Sequence, residues 1–204
     1  AMSMEFAAER HAQALHLRDN GRPAEAQAVC REILEARADH HGALELLWDL
    51  AFEAGTPGAA IDWLVKAIAA NDRVAAFHHM LGCALQAEKK IGDAIASFSR
   101  ALALDPNLAK TQNNLGCLLE RVGALENALE CYRNAVRLDP GLAQALYNLG
   151  NAYAQTGDGK QAVALLEQAL AIEPKHADWL SNLGSLRLGR LQLDEAIACF
   201  RAAL

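Results

Sequence analysis

Alanines stand at Ala26, Ala60, Ala94, Ala128, Ala162 and Ala196, a constant step of 34 residues. A fixed period of that length is the mark of a stack of like units, because a single closed core has no reason to repeat itself. Other residue types keep the same step: Leu47, Leu81, Leu115, Leu149 and Leu183; Gly82, Gly116, Gly150 and Gly184; Ala67, Ala101, Ala135, Ala169 and Ala203; Pro106, Pro140 and Pro174. Each unit therefore offers the same small and large residues to its neighbour.

Closing each unit two residues after its proline divides the chain into repeats 7–40, 41–74, 75–108, 109–142 and 143–176, with 177–204 a partial sixth. Residues 1–6 then form a short extension, in which Ala1-Met2-Ser3-Met4 has the look of a cloning scar. Repeat 143–176 displays the construction. Leu146, Leu149 and Tyr153 recur at helical spacing, Gly157 and Asp158 interrupt the pattern, and Ala162, Leu166, Ala169 and Leu170 restart it. This predicts helix, turn and helix. Gly150 and Ala162 are small where two helices must approach closely, and Pro174 closes the second helix because it lacks an N–H and disfavours helical backbone before it.

Asn148-Leu149-Gly150, Tyr153, Gly157, Ala162, Leu166, Ala169 and Pro174 together resemble the tetratricopeptide repeat, and Asn114-Leu115-Gly116 with Leu138-Asp139-Pro140 matches as well. The first two repeats depart from it. Gln13 occupies an apolar site, Trp48 a glycine site, and Ala38 and Asp72 stand in place of proline. The resemblance implies an all-α, right-handed superhelical solenoid of antiparallel helix pairs, twelve helices with no strand, whose first helices line a concave groove. At Leu204 the pattern stops inside a second helix, with Ile197, Phe200 and Ala203 set for packing. The expectation is an excised segment of a longer protein, or an end covered by another chain.

Composition narrows the function. The chain is 52% hydrophobic, 5% aromatic and carries a net charge of −6. It has no basic run to neutralise phosphates, so nucleic acid is not expected as a partner. No apolar stretch reaches bilayer length and no signal-peptide core is present, so a cytoplasmic protein with no membrane partner is expected. Cys30, Cys83, Cys117, Cys131 and Cys199 contain no Cys-x-x-Cys pair and read as small, part-buried thiols. The tandem pairs His40-His41 and His78-His79 point in different directions on a helix and chelate poorly. His78 falls in a packing register. No nucleophile with a base and no phosphate loop is recognisable, so neither catalysis, metal nor cofactor is expected.

The resemblance places ligand contacts at the second, fifth, sixth, ninth, twelfth and thirteenth residues of each repeat. The peptide-binding candidates are Lys110, Asn113 and Asn114 in the fourth repeat, Gln144, Tyr147, Asn148, Asn151 and Gln155 in the fifth, and Asn182 in the sixth. From Gly141 to Gly157 no residue is charged, so this groove is polar but neutral. Asn114, Asn148 and Asn182 form a column of amides, each able to donate to and accept from an extended backbone. That column is similar to the superhelical repeat region of O-linked N-acetylglucosamine transferases. A carboxylate clamp is disfavoured, since Asn151 and Asn182 match its asparagines but Tyr147 replaces its first lysine. The expected function is a non-catalytic scaffold for protein–protein interaction, holding an extended peptide or partner protein in the groove. The alternatives are a substrate-recruiting arm of a larger enzyme such as a glycosyltransferase, and a scaffold that self-associates through its open carboxy-terminal end.

Overall fold

A computed structural model describes residues 4–204. Of the expected extension, Ala1, Met2 and Ser3 lie outside the described residues, while Met4, Glu5 and Phe6 form the first turn of a helix. The described residues contain twelve α-helices and no strand. In chain order they are α1 (Met4–Asp19), α2 (Pro23–Ala36), α3 (His41–Glu53), α4 (Ile61–Ala70), α5 (Ala75–Ala87), α6 (Ile91–Leu104), α7 (Ala109–Arg121), α8 (Leu125–Leu138), α9 (Ala143–Gln155), α10 (Gly159–Ile172), α11 (Ala177–Gly189) and α12 (Leu193–Ala202). One further turn of 3-10 helix, Pro57–Ala60, leads into α4. Pro57 opens this tighter turn, whereas α2, which also opens on a proline, and the other second helices begin directly as α-helix.

Every helix pair is joined by the same turn. Backbone N–H groups of Arg22, Thr56, Lys90, Ala124, Asp158 and Gln192 donate to the carbonyls of Leu17, Ala51, Leu85, Leu119, Tyr153 and Arg187, five residues back. This is the Schellman closure, which needs one residue in the left-handed region. Gly21, Gly55, Gly123 and Gly157 supply it, but Lys89 (φ 60°) and Leu191 (φ 61°) fill the same place in the third and sixth repeats. A side chain there is strained.

Close helix contact is enforced by one paired position. A Cβ added at Gly82 would lie 2.6 Å from the Phe98 ring, at Gly116 2.6 Å from the Tyr132 ring, and at Gly184 2.8 Å from the Phe200 ring. At Gly150 it would collide with Leu166. The small residue of each first helix is thus the seat of a large residue sixteen positions later. The first two repeats solve the problem otherwise: Ala14 and Cys30 are both small and fully buried, and in the second repeat Trp48 is half-buried above a fully buried Leu64. The alanine column behind these pairs is sealed, with Ala26, Ala60, Ala94, Ala128 and Ala162 at 0% exposure.

The chain divides into two compact units, one ending at Pro106 and the other spanning Asn107–Leu204. Each has a core of its own. In the first, Ile33, Leu44, Leu47, Leu64 and Phe77 are central. In the second, Leu129, Tyr132, Leu146, Leu166 and Trp179 take that part. On α12 the second core runs out: Leu193, Ile197 and Phe200 are exposed.

Candidate functional site

In the second unit the first helices of the three repeats are α7, α9 and α11. Alanine, leucine and glycine on their inner sides pack against the partner helices, which leaves the polar positions aligned from one first helix to the next. Asn113 is buried on α7, and its Oδ1 accepts from Asn148 Nδ2 on α9 at 2.9 Å. The second Asn148 donor reaches Cys117 Sγ at 3.3 Å, and Asn148 Oδ1 accepts from Gln144 Nε2 at 3.0 Å. Asn182 on α11 donates to the Tyr147 hydroxyl. Gln155 donates to Glu120, whose other oxygen accepts the buried Tyr132 hydroxyl at 2.7 Å.

The amides are therefore brought together, though not as free hydrogen-bonding groups. Both donors of Asn148 are spent inside the protein, which makes it a strut between α7 and α9. Asn114 is half-buried and likewise engaged within the protein. Half-buried Asn151 has no side-chain hydrogen-bond partner among the described residues, and Lys110 stands exposed at the start of α7. Gln144, Gln155 and Asn182 are exposed as well, with Tyr147 half-buried.

The α9 residues are uncharged, but Glu120 on α7 brings a carboxylate to Gln155 and Tyr132. Burial, with Cys117 and Glu120 beside it, raises the Tyr132 phenol above its ordinary value and keeps it protonated as the donor to Glu120. Burial likewise raises the Cys117 thiol; the Tyr132 hydrogen bond opposes this and Glu120 reinforces it. A stack missed by the sequence reading supports the α11 end. Trp179, 2% exposed, lies between the Tyr147 ring at 4.9 Å and the His176 ring at 4.1 Å. The signal was a tryptophan three residues into the sixth repeat of a chain poor in aromatics.

The first unit presents different chemistry on its first helices, α1, α3 and α5. Glu45, Asp49 and Glu53 lie at four-residue steps along α3, on one side of the helix. A cleft of about 160 Å³ is lined by His11 and Arg18 of α1 and by Glu45 and Asp49 of α3, with Leu15 and Leu46 among its apolar walls. Burial, then the carboxylates of Glu45 and Glu53, raises Asp49 above the usual carboxylate range, with Arg18 opposing. Beside it Phe52 is 62% exposed and its ring meets Trp48 at 5.6 Å. On α5, His79 Nε2 lies 3.6 Å from Cys83 Sγ. No group of three or more metal-ligating side chains occurs among the described residues.

Family models for the tetratricopeptide repeat match residues 11–76, 75–108 and 143–176, and a model described as TPR repeat matches 121–157. The chain belongs to the tetratricopeptide repeat family. Among solved structures, this tetratricopeptide protein is similar to a crystal structure of MamA, with 27% identity, a TM-score of 0.70, and coverage of 81% of this chain and 96% of that one. It is similar to YrrB, described as a TPR protein with an unusual peptide-binding site, at 25% identity and a TM-score of 0.66, covering 90% and 91% of the two chains. PilF of Pseudomonas aeruginosa shares the fold at 18% identity and a TM-score of 0.82, with 96% of this chain and 89% of that chain covered. No curated protein sequence matches the chain. Among the described residues no helix is long and apolar enough to cross a membrane.

Proposed function

We propose that this tetratricopeptide protein is a non-catalytic interaction scaffold that holds an extended peptide against α7, α9 and α11. The observation that carries this reading is the amide ladder Gln144–Asn148–Asn113, which spans neighbouring first helices and leaves Asn151 without a partner among the described residues. In this reading Asn113, Asn114 and Asn148 set the spacing of the helices. Lys110, Gln144, Tyr147, Asn151, Gln155 and Asn182 meet the ligand. First helices about 10 Å apart would give a track of about 20 Å, the length of about six extended residues. The similarity to YrrB, with its peptide-binding site, adds weight. We take the repeats as one scaffold and place it in the cytoplasm.

The test is binding of a synthetic peptide library to the wild type and to a Gln144→Ala, Asn151→Ala, Asn182→Ala triple variant at two salt concentrations. Each lost hydrogen bond is worth about 0.5–1.5 kcal/mol net, so affinity should fall by about one to three orders of magnitude with helicity unchanged. Binding through amides should weaken little with salt. Equal binding by both proteins overturns the reading.

A second reading, association of two copies through α12, is favoured by its exposed Leu193, Ile197 and Phe200. At the equivalent place in the preceding repeat Leu166 is 0% exposed, against 37% for Phe200. Sedimentation at rising concentration should show assembly that Ile197→Asp abolishes, and a monomer throughout would remove this reading.

A further inference from the structure

The five cysteines of this chain sit in unequal surroundings, and the 34-residue period provides an internal control for one of them. Cys83 and Cys117 occupy the same place, the ninth residue of the third and fourth repeats. Both are half-buried. Their neighbours differ slot by slot. Where Cys117 has Asn113 one turn before it, Glu120 three residues after it and Tyr132 on the second helix, Cys83 has His79, Gln86 and Phe98.

The substitution of His79 for Asn113 puts an imidazole nitrogen next to the sulfur, with Nε2 3.6 Å from Cys83 Sγ on the same side of α5. The ring is also held near Phe98, with centroids 5.7 Å apart. The substitution of Gln86 for Glu120 removes a negative charge that would oppose a thiolate. The other thiols are sealed or discouraged. Cys30 is fully buried and pushed up to about 11, Cys131 is buried and likewise at about 11, and Cys117 is raised by burial. Cys199 receives the Arg187 guanidinium at 3.1 Å but is only 6% exposed, so a reagent cannot approach it as it can Cys83.

We propose that Cys83 is a site of reversible thiol modification, in which His79 accepts its proton and the sulfur forms a mixed disulfide with a low-molecular-mass disulfide. The step is an exchange. The S–H proton passes to the His79 imidazole, the Cys83 thiolate attacks one sulfur of the disulfide, and a new S–S bond forms as the old one breaks. The departing half leaves as a thiolate and takes the proton back, so Cys83 is oxidised while that half is reduced. The adduct stands at the ninth position of its repeat. The modification does not rest on the proposed peptide-holding function, whose contacts lie on α7, α9 and α11.

The experiment exposes the full folded chain to limiting glutathione disulfide, and separately to iodoacetamide, and reads the modified cysteine by peptide mapping over time. Cys83 should react first, about threefold or more faster than Cys117, the advantage in thiolate fraction being partly offset by weaker nucleophilicity. His79→Asn, which copies the fourth-repeat slot, should bring the Cys83 rate down toward that of Cys117 with wild-type helicity, and His79→Gln should act alike. Reaction of Cys117 or Cys199 ahead of Cys83 in the wild type overturns the proposal whatever the variants do. So does an unchanged Cys83 rate in both folded variants.

Discussion

Repeats four to six and repeats one to three answer the same packing problem with different parts. In the unit Asn107–Leu204 each first helix carries a glycine, and the large residue of the second helix lies over it: Gly116 under Tyr132, Gly150 under Leu166, Gly184 under Phe200. In the unit ending at Pro106 only the third repeat does so, with Gly82 under Phe98, whereas Trp48 fills the glycine slot of the second repeat and spills half-exposed toward Phe52. The polar faces diverge in parallel. One carries amides bonded across neighbouring first helices, the other a row of carboxylates along α3. A repeat of fixed length thus holds helix spacing constant while the residues that face solvent drift independently.

The sharpest way to break this comparison is to place the same residue, leucine, in both slots. Gly116→Leu should cost about 3 kcal/mol, because a branched side chain must displace a buried ring. Trp48→Leu at the equivalent position should cost only about 1–2 kcal/mol, since that site was never closed. Chemical denaturation of both variants decides, and equal losses would mean that the two slots are equally closed.

Tyr132→Phe should cost about 1–2 kcal/mol by leaving Glu120 without its buried donor. Phe98 already occupies that slot in the third repeat, beside Gln86, so the hydroxyl is a feature of one repeat and not of the architecture. Thermal melts that place Tyr132→Phe at wild-type stability would make the hydrogen bond incidental.

Smaller gains should come from the strained turns. Lys89→Gly and Leu191→Gly should each stabilise by about 0.5–1 kcal/mol, whereas Gly123→Ala and Gly157→Ala should each cost about 1 kcal/mol. A loss on Lys89→Gly would show that its side chain makes up for the φ of 60°.

The mildest effect concerns pH. His40 and His176 share one register, each just before a first helix, yet only His40 caps its helix, accepting from the Ala43 N–H at Nδ1 over 3.1 Å. Burial lowers the His40 pKa below 6.5, with the nearby His11 adding to this. Its contribution to stability is therefore present above 6.5 and is lost as pH falls from there through the lower folded value. His40→Asn keeps a capping acceptor that does not titrate. Melts taken from pH 7.5 to 5 should show a flatter pH dependence in the variant.

Much of the fold is legible in spacing because the same contact is made over and over, and each copy writes the same residue sizes. The polar site is less so. Asn113, Asn148 and Gln144 can be picked out by register, but register does not reveal that Asn148 spends both donors on Asn113 and Cys117, which depends on how far apart α7 and α9 sit. The four-residue step from His79 to Cys83 was visible too. It gains meaning only from the distance between the two atoms and from the contrast with Asn113 and Cys117.

What the sequence determined by itself is the helix pair, its repetition and the seats of its core, because small and large residues at fixed steps permit only one way of stacking. What the tertiary structure decided is where helices stop and which polar groups are taken. α2 and α4 end at the same register as α6, α8 and α10, although Ala38 and Asp72 replace the prolines that follow the others. Arg37 and Asn71 still turn extended there, at φ −144° and −151°. Proline is thus not necessary for the helix to stop there. The next first helix must pack back on the pair, and burying its apolar side contributes more than one further turn of helix could.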